Sequence, residues 1–157
     1  MVRFKNRWLL VEFIPFTSEG VATYAPSDGL TGKHIWNVLR ESVLVNFGDT
    51  GWGAVGSSLT VKYFSPTTNL CIIRVARDHH RIAWGAVTCI RKMQGRAYLP
   101  NVIHVSGTIK HAQLAAIQHN REAVARLRAQ SKLPAMYQSK HDEYLESSTK
   151  EIEALRD

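Results

Sequence analysis

Two segments of the chain are apolar at nearly every position. Residues 8–14 have Glu12 as their only polar interruption, and residues 70–75 have only Arg74. A strand that is apolar on both faces is typical of the centre of a sheet covered on both sides. Residues 58–64 alternate between apolar and polar side chains, which predicts a second strand in a hairpin with 70–75. A short fourth strand is predicted over 100–105.

Apolar residues at helical spacing predict helices between these strands. One helix is expected over 31–47 and ends at Gly48, before a glycine-rich loop. A second is expected from Asp78, as its capping residue, to Met93. A long helix over 109–130 follows the last strand. The charged segment 138–156 has few apolar residues, which predicts a weakly docked helix or a partly disordered tail.

The resulting order is β-α-β-β-α-β followed by helix. This predicts a ferredoxin-like or RRM-like α/β sandwich: a mostly antiparallel four-stranded sheet, a long C-terminal helix and an acidic helical tail. We expect a single domain over residues 1–133 and the tail over 134–157. RNA-recognition motifs stack bases on aromatic residues of the third strand, but 70–75 carries none. Its open apolar face therefore needs cover by the long helix or by a partner protein.

Charge changes this picture more than composition does. The 157 residues have a net charge of +7, concentrated in a basic middle, while the segment from residue 135 onward is acidic. Such a distribution points to a polyanionic partner, most simply nucleic acid. We expect no membrane span and no signal peptide, and we interpret Cys71 and Cys89 as reduced core residues of an intracellular protein.

Three stretches are candidates for holding phosphate. Arg3, Lys5 and Arg7 occupy every second position, so they share one face of an extended chain. Residues 74–81 cluster cations where a strand end meets a helix start, whose free N–H groups attract anions. Residues 104–110 place a glycine, a capping threonine and a lysine at the next helix start. Each stretch is also compatible with an ordinary solvated strand end or helix start.

Catalytic chemistry has little support in the sequence. Adjacent His79 and His80 diverge by about 100° on a helix, so they cannot share one metal ion. His104 lacks a paired acid or nucleophile, and no Ser-His-Asp, paired-carboxylate or P-loop pattern is present. Two alternatives to an RNA-binding role stay open: a small ferredoxin-like phosphoester hydrolase, and an adaptor that binds only proteins.

Several of these segments together resemble one family, the small α/β-sandwich protein subunit of eukaryotic and archaeal ribonuclease P, shared in eukaryotes with ribonuclease MRP. The resemblance lies in residues 2–10, 61–64, 70–75, 77–79 and 104–109. Trp8 stands where the family often has tyrosine, and Ser106 where it has glycine in some members. The tail does not contribute to the resemblance.

The resemblance implies a non-catalytic subunit of a ribozyme that removes the 5′ leader of precursor tRNA and also takes part in pre-rRNA processing. The implied partners are the catalytic RNA, a TIM-barrel protein subunit, a second small ferredoxin-like subunit and, indirectly, precursor tRNA. No cofactor is expected on the protein, and Mg²⁺ is expected on the RNA. A long glycine-rich loop around 48–56 suggests a eukaryotic member, hence the nucleus and nucleolus.

Residues and resemblance together predict one set of RNA-binding residues, with no catalytic or metal-binding residue among them. The set is Arg3, Lys5, Asn6, Arg7, Arg74, Arg77, His79, His80, Arg81, Ser106, Gly107, Thr108 and Lys110.

Overall fold

A computed structural model describes residues 5–130 and 135–157. The strands are β1 (Asn6–Phe16), β2 (Thr60–Ser65), β3 (Leu70–Ala76), β4 (Lys92–Met93) and β5 (Arg96–Ser106), and the helices are α1 (Gly32–Val55), α2 (His80–Thr88), α3 (Ile109–Gln130) and α4 (Ala135–Glu153), with a 3-10 turn at Arg77–His79. The five strands form one antiparallel sheet in the order β2-β3-β1-β5-β4. This confirms the ferredoxin-like or RRM-like arrangement, with a fifth strand added at one edge.

Strand β1 lies in the middle of the sheet and is buried on both faces. Leu9, Val11 and Phe13 point to the side of α1 and α2, whereas Trp8 and Leu10 point to the side of α3 and α4. All five have no exposed surface, and burying a side chain of this size contributes about 1.5–3 kcal/mol. The predicted placement of residues 8–14 at the sheet centre is confirmed.

Helices α3 and α4 cover the face of the sheet that an RNA-recognition motif leaves open. Ala112 and Ala116 of α3 and Ile152 of α4 pack in one buried cluster with Trp8 and Ile72. The small alanine side chains let α3 lie close to the strands. The expectation that the long third helix covers this face is confirmed, and α4 extends the cover.

Polar side chains also fasten α4 to the body. The hydroxyls of Tyr63 and Ser148 lie 2.6 Å apart, and Asn120 Nδ2 donates to Ser148 Oγ at 2.8 Å. Gln113 Nε2 donates to the Ile152 carbonyl at 2.9 Å, near the end of the helix. Burial raises the pKa of Tyr63 to about 12. Of the two alternatives predicted for the tail, the described residues adopt the docked helix.

The first helix breaks at Gly48 as predicted, but the glycine-rich loop predicted after it is wrong. Gly48 does leave helical geometry, at φ 67° and ψ −168°, but the chain resumes a helix and continues to Val55. This second segment packs inward because Val55 is fully buried and the ring of Trp52 meets that of Trp36 at 5.8 Å. The glycine-rich stretch 48–56 is therefore mostly helical and is no loop insertion.

The second helix is shorter than predicted. It ends at Thr88, and Lys92–Met93 turn back as β4 to pair with Arg96–Ala97. Gln94 and Gly95 make this tight turn, both with positive φ, as a type I′ hairpin turn requires. Met93 is buried as predicted, but in a strand. Asp78 is not the cap either, since His79 precedes α2 and no side chain caps it.

The two cysteines lie in different environments. Cys71 is buried on β3, and burial raises the pKa of its thiol. Cys89 directly follows α2 and is exposed, so the interpretation of Cys89 as a core residue is wrong. The apolar residues around it, Val87 and Ile90, face the core while Cys89 itself points away.

We expect a thiol reagent to modify the native chain once, at Cys89. Cys71 should react only when the protein unfolds, because its thiol is buried and its thiolate is disfavoured. Mass spectrometry of the labelled chain measures this, with Cys89→Ser as the control that should remain unlabelled. Rapid labelling of Cys71 in folded Cys89→Ser protein would contradict this packing.

We expect Ile152→Ala to lower the free energy of unfolding by about 2–4 kcal/mol, because it opens a cavity under a fully buried side chain. Urea denaturation measures the loss. Glu151→Ala, on the exposed side of the same helix, is the matched control and should change the free energy of unfolding by less than about 0.5 kcal/mol. Equal effects of the two substitutions would mean that α4 is not docked as described.

Candidate nucleic-acid interface

Three strand ends meet at one end of the sheet. Because β3 and β5 both run antiparallel to β1, the start of β1 lies beside the ends of its two neighbours: Asn6 pairs with Ala76, and Trp8 pairs with Ser106. The two following helical segments, Arg77–Thr88 and α3, therefore begin at the same place. We call this region, formed by Lys5–Arg7, Arg74–Arg81 and Ser106–Lys110, the basic end.

Arg7 and Gly107 connect two stretches that are a hundred residues apart in sequence. The Arg7 guanidinium lies so close to Gly107 that a Cβ atom there would be 3.2 Å from Arg7 Nη1. Nη1 also donates to the Asn6 carbonyl at 3.1 Å. Lys5 is exposed, and its carbonyl accepts from the Arg77 amide at 2.9 Å. The prediction that the first and last predicted strands lie side by side as antiparallel neighbours is confirmed.

Asn6 differs from its neighbours. It lies on the opposite face of β1 from Lys5 and Arg7, and its Nδ2 donates to Asp157 Oδ1 at 2.9 Å. The acidic C-terminus thus reaches the basic end on the α4 side. The prediction for Arg3 concerns a residue outside those that the structure describes.

The Arg74–Arg81 stretch contributes cations on both sides of the sheet end. Arg74 is half-buried on the face of Trp8, whereas Arg81 and His79 are exposed. Arg77 Nε lies 3.3 Å from Asp78 Oδ1, an exposed pair that is worth little in water. His80 is held against the Arg77 carbonyl at 2.7 Å through Nδ1.

The start of α3 is organised by its own hydroxyl groups. Ser106 is buried and its Oγ donates to the Thr108 carbonyl at 2.8 Å, which fixes the turn rather than facing a ligand. Thr108 Oγ1 accepts from the His111 amide at 3.4 Å. Gly107, Thr108 and Lys110 are exposed. A phosphate oxygen can therefore reach these three residues of the turn.

The basic end offers charge and hydrogen-bond donors and no assembled metal site. Among residues 5–130 and 135–157, no group of three or more His, Cys, Asp or Glu side chains could hold a metal ion. No helix among the described residues has the length and apolarity needed to cross a membrane. What the region can do is neutralise and orient phosphate groups.

A second basic cluster, which no sequence motif indicates, lies at the β4–β5 hairpin. Arg91, Lys92 and Arg96 are exposed at the β4–β5 hairpin. Strand β5 separates this cluster from the basic end by about 34 Å, at 3.4 Å for each residue. The sequence shows their charge. The helix predicted over 78–93 does not bring the three residues together, whereas the hairpin does.

Buried Glu12, the polar interruption of β1, also finds partners. Its Oε1 lies 3.5 Å from His119 Nε2 and 3.9 Å from Arg126 Nη2. Both partners project from α3. Glu12 is thus a structural link between the central strand and the helix that covers it, on the face opposite to Lys5 and Arg7.

Comparison with known proteins places this geometry in a family. The family model described as "Rpp14/Pop5 family" matches residues 7–117. The ribonuclease P/MRP protein subunit POP5 of Schizosaccharomyces pombe is 46% identical over 127 residues, covering 79% of this chain and 91% of that protein. A probable ribonuclease P/MRP protein subunit POP5 of Arabidopsis thaliana is 33% identical over 122 residues, covering 78% and 81%.

Among solved structures, a chain from the cryo-EM structure of yeast ribonuclease MRP has a similar fold. It matches with a TM-score of 0.53 over 81% of this chain and 98% of that chain, at 11% sequence identity. At that identity the likeness concerns the fold alone. The family match ends at residue 117, so α4 lies beyond it.

Proposed function

This chain belongs to the Rpp14/Pop5 family and is a non-catalytic ribonucleoprotein subunit of the ribonuclease P/MRP kind, and we propose that it holds RNA at the basic end of its sheet. The RNA is the catalytic RNA of the complex, and the protein stabilises its core. The reaction served is removal of the 5′ leader from precursor tRNA, together with pre-rRNA processing.

One observation carries this proposal: antiparallel pairing brings Lys5, Arg7 and the start of α3 to one end of the sheet. Folded RNA brings its own phosphates close together, and their mutual repulsion opposes compaction. Cations held on a rigid sheet end reduce this repulsion without needing to read the sequence. The role of these residues is accordingly positional and electrostatic.

The distribution of charge supports the same proposal, that RNA binds at the basic end. Residues 50–121 contain nine Lys and Arg residues and a single carboxylate, Asp78. This span includes two of the three stretches that form the basic end. At the basic end six Lys and Arg side chains stand against the carboxylates Asp78 and Asp157, so the region attracts a polyanion. Mg²⁺, where the hydrolysis requires it, is held by the RNA in this proposal.

Protein partners are the second part of the proposal. We propose that a TIM-barrel subunit and a second small ferredoxin-like subunit bind this chain, and that precursor tRNA is contacted only indirectly. Exposed apolar side chains outside the basic end support protein contacts: Leu99 and Ile103 on β5 and Leu114 on α3. We propose the nucleus and nucleolus as its location, in keeping with its eukaryotic relatives.

We expect Lys5→Gln with Arg7→Gln to weaken binding of the ribonuclease P RNA and to make it less dependent on salt. Each lost phosphate contact should reduce the slope of log K against log salt by roughly 0.7–0.9. Filter binding of the full chain across a salt series measures this. Circular dichroism should show an unchanged fold, because neither side chain belongs to the core.

The matched control is Lys92→Gln with Arg96→Gln, which removes two charges at the opposite end of the sheet. It should leave the salt slope close to that of the wild-type chain. An unchanged slope in the folded Lys5/Arg7 variant, with a reduced slope in the control, would move the RNA site to the β4–β5 hairpin and refute the basic end.

A further inference from the structure

Trp84 is an exposed aromatic residue on the helix that starts at the basic end. Helix α2 turns Ala83, Ala86 and Val87 into the core, and Trp84 lies on the outer side with 39% of its surface exposed. Trp84 belongs to neither buried cluster, and part of its indole is exposed to solvent. Tryptophan with an exposed face is a frequent anchor at binding surfaces.

The spacing places Trp84 beside cations. His80, Arg81 and Trp84 follow at i, i+1 and i+4, so both basic residues lie one helical turn before the indole. Long side chains on helices lean toward the N-terminus, here toward the basic end. Arg81 is exposed like Trp84. A flat aromatic surface and a guanidinium therefore occupy neighbouring positions on one outer helix face.

A second partly exposed aromatic residue, Phe47, lies against the same helix. Its ring lies against Gly85, the residue after Trp84, where a Cβ atom would come within 2.9 Å of Phe47 Cζ. Phe47 itself is 39% exposed. It is placed there by α1, one residue before the break at Gly48. Two partly exposed aromatic residues from different helices thus lie beside the basic end.

The cations of α2 favour an anionic occupant for this surface. Asp78, the single carboxylate between residues 50 and 121, is paired with Arg77, and α1 adds exposed Asp49 two residues after Phe47. A protein partner that covers two aromatic residues does not also need an anionic group. A nucleotide supplies both a base that stacks on an aromatic ring and a phosphate that pairs with a cation. The sheet aromatics cannot serve, since Trp8 and Tyr63 are covered by α3 and α4.

We propose that Trp84 stacks on an unpaired base of the bound RNA, with the phosphate of that nucleotide at Arg81. The proposal rests on the proposed function, because it needs RNA at the basic end, and it adds recognition of a single-stranded nucleotide there. Base stacking thus occurs on the outside of a helix, whereas RNA-recognition motifs stack bases on the sheet.

Three variants of the full chain test the stacking. Trp84→Ala should weaken binding of the ribonuclease P RNA by roughly 5- to 150-fold, the range that loss of one stacked base gives, with an unchanged salt slope. Trp84→Phe should restore most of the affinity, since a phenyl ring still stacks. Val21→Ala removes an exposed apolar side chain beyond the C-terminal end of β1, far from the basic end, and should bind as the wild type does.

Crosslinking locates the base directly. RNA containing 4-thiouridine, bound to the chain and irradiated, should crosslink to the tryptic peptide of residues 82–91, in which Trp84 is the one aromatic residue. The crosslink should persist in Cys89→Ser and disappear in Trp84→Ala.

The outcomes separate this proposal from the function on which it rests. Wild-type affinity of Trp84→Ala, with no crosslink to 82–91, overturns the stacking while RNA binding stands. Loss of another protein subunit from complexes purified with the Trp84→Ala chain, at unchanged RNA affinity, makes Trp84 a protein contact and also overturns it. Absence of RNA binding by the wild-type chain overturns both.

Discussion

The pairing of β1 with a strand on each side is the constraint on which the rest of the structure depends. A central strand with apolar side chains on both faces must be covered twice, and the chain supplies α1 and α2 on one face and α3 and α4 on the other. Because both neighbours are antiparallel to β1, their C-terminal ends must lie beside its start. The same pairing that builds the core therefore also collects the cations.

Covering the second face of the sheet changes what the fold can do. In an RNA-recognition motif that face is open and bases stack on it. Here Trp8 is fully buried beneath Ala112, Ala116 and Ile152, and a polar network around Ser148 fastens the last helix over it. The face becomes core, so a ligand is left with the ends of the sheet and the outer sides of the helices.

The sequence predicts the features that depend on burial alone. Residues 8–14 and 70–75 are apolar on both sides. Such segments must be covered on both faces, which predicts their place at the centre of the sheet and the cover by α3. Alternation alone also assigns Cys71 and Ile73 to one face and Leu70 and Ile72 to the other, as found. From these strands the meeting of Arg7 with Gly107 could be inferred before any coordinates.

The features that were missed depend on local geometry that composition does not determine. The glycines of residues 48–56 favour a loop, but whether a second helix forms after Gly48 depends on the fit of Val55 and Trp52 against the core. The spacing of Ile90 and Met93 fits an apolar helix face as well as it fits a turn followed by a strand. It therefore predicts neither β4 nor the exposure of Cys89. Which residues of α2 face outward, Trp84 among them, depends on where the helix begins and ends, and the sequence does not determine these limits.

Amide hydrogen exchange of the chain with and without bound RNA tests the central claim most directly, which is that RNA is held at one end of the sheet. The first amides of the Arg77–Thr88 segment and of α3 lack the helical hydrogen bonds of later turns, so a bound phosphate should slow them measurably. We predict slower exchange at residues 77–81 and 107–111 and no change at 93–97 or 142–153. Slowing confined to the β4–β5 hairpin or to α4, with residues 77–81 and 107–111 unaffected, would contradict the account.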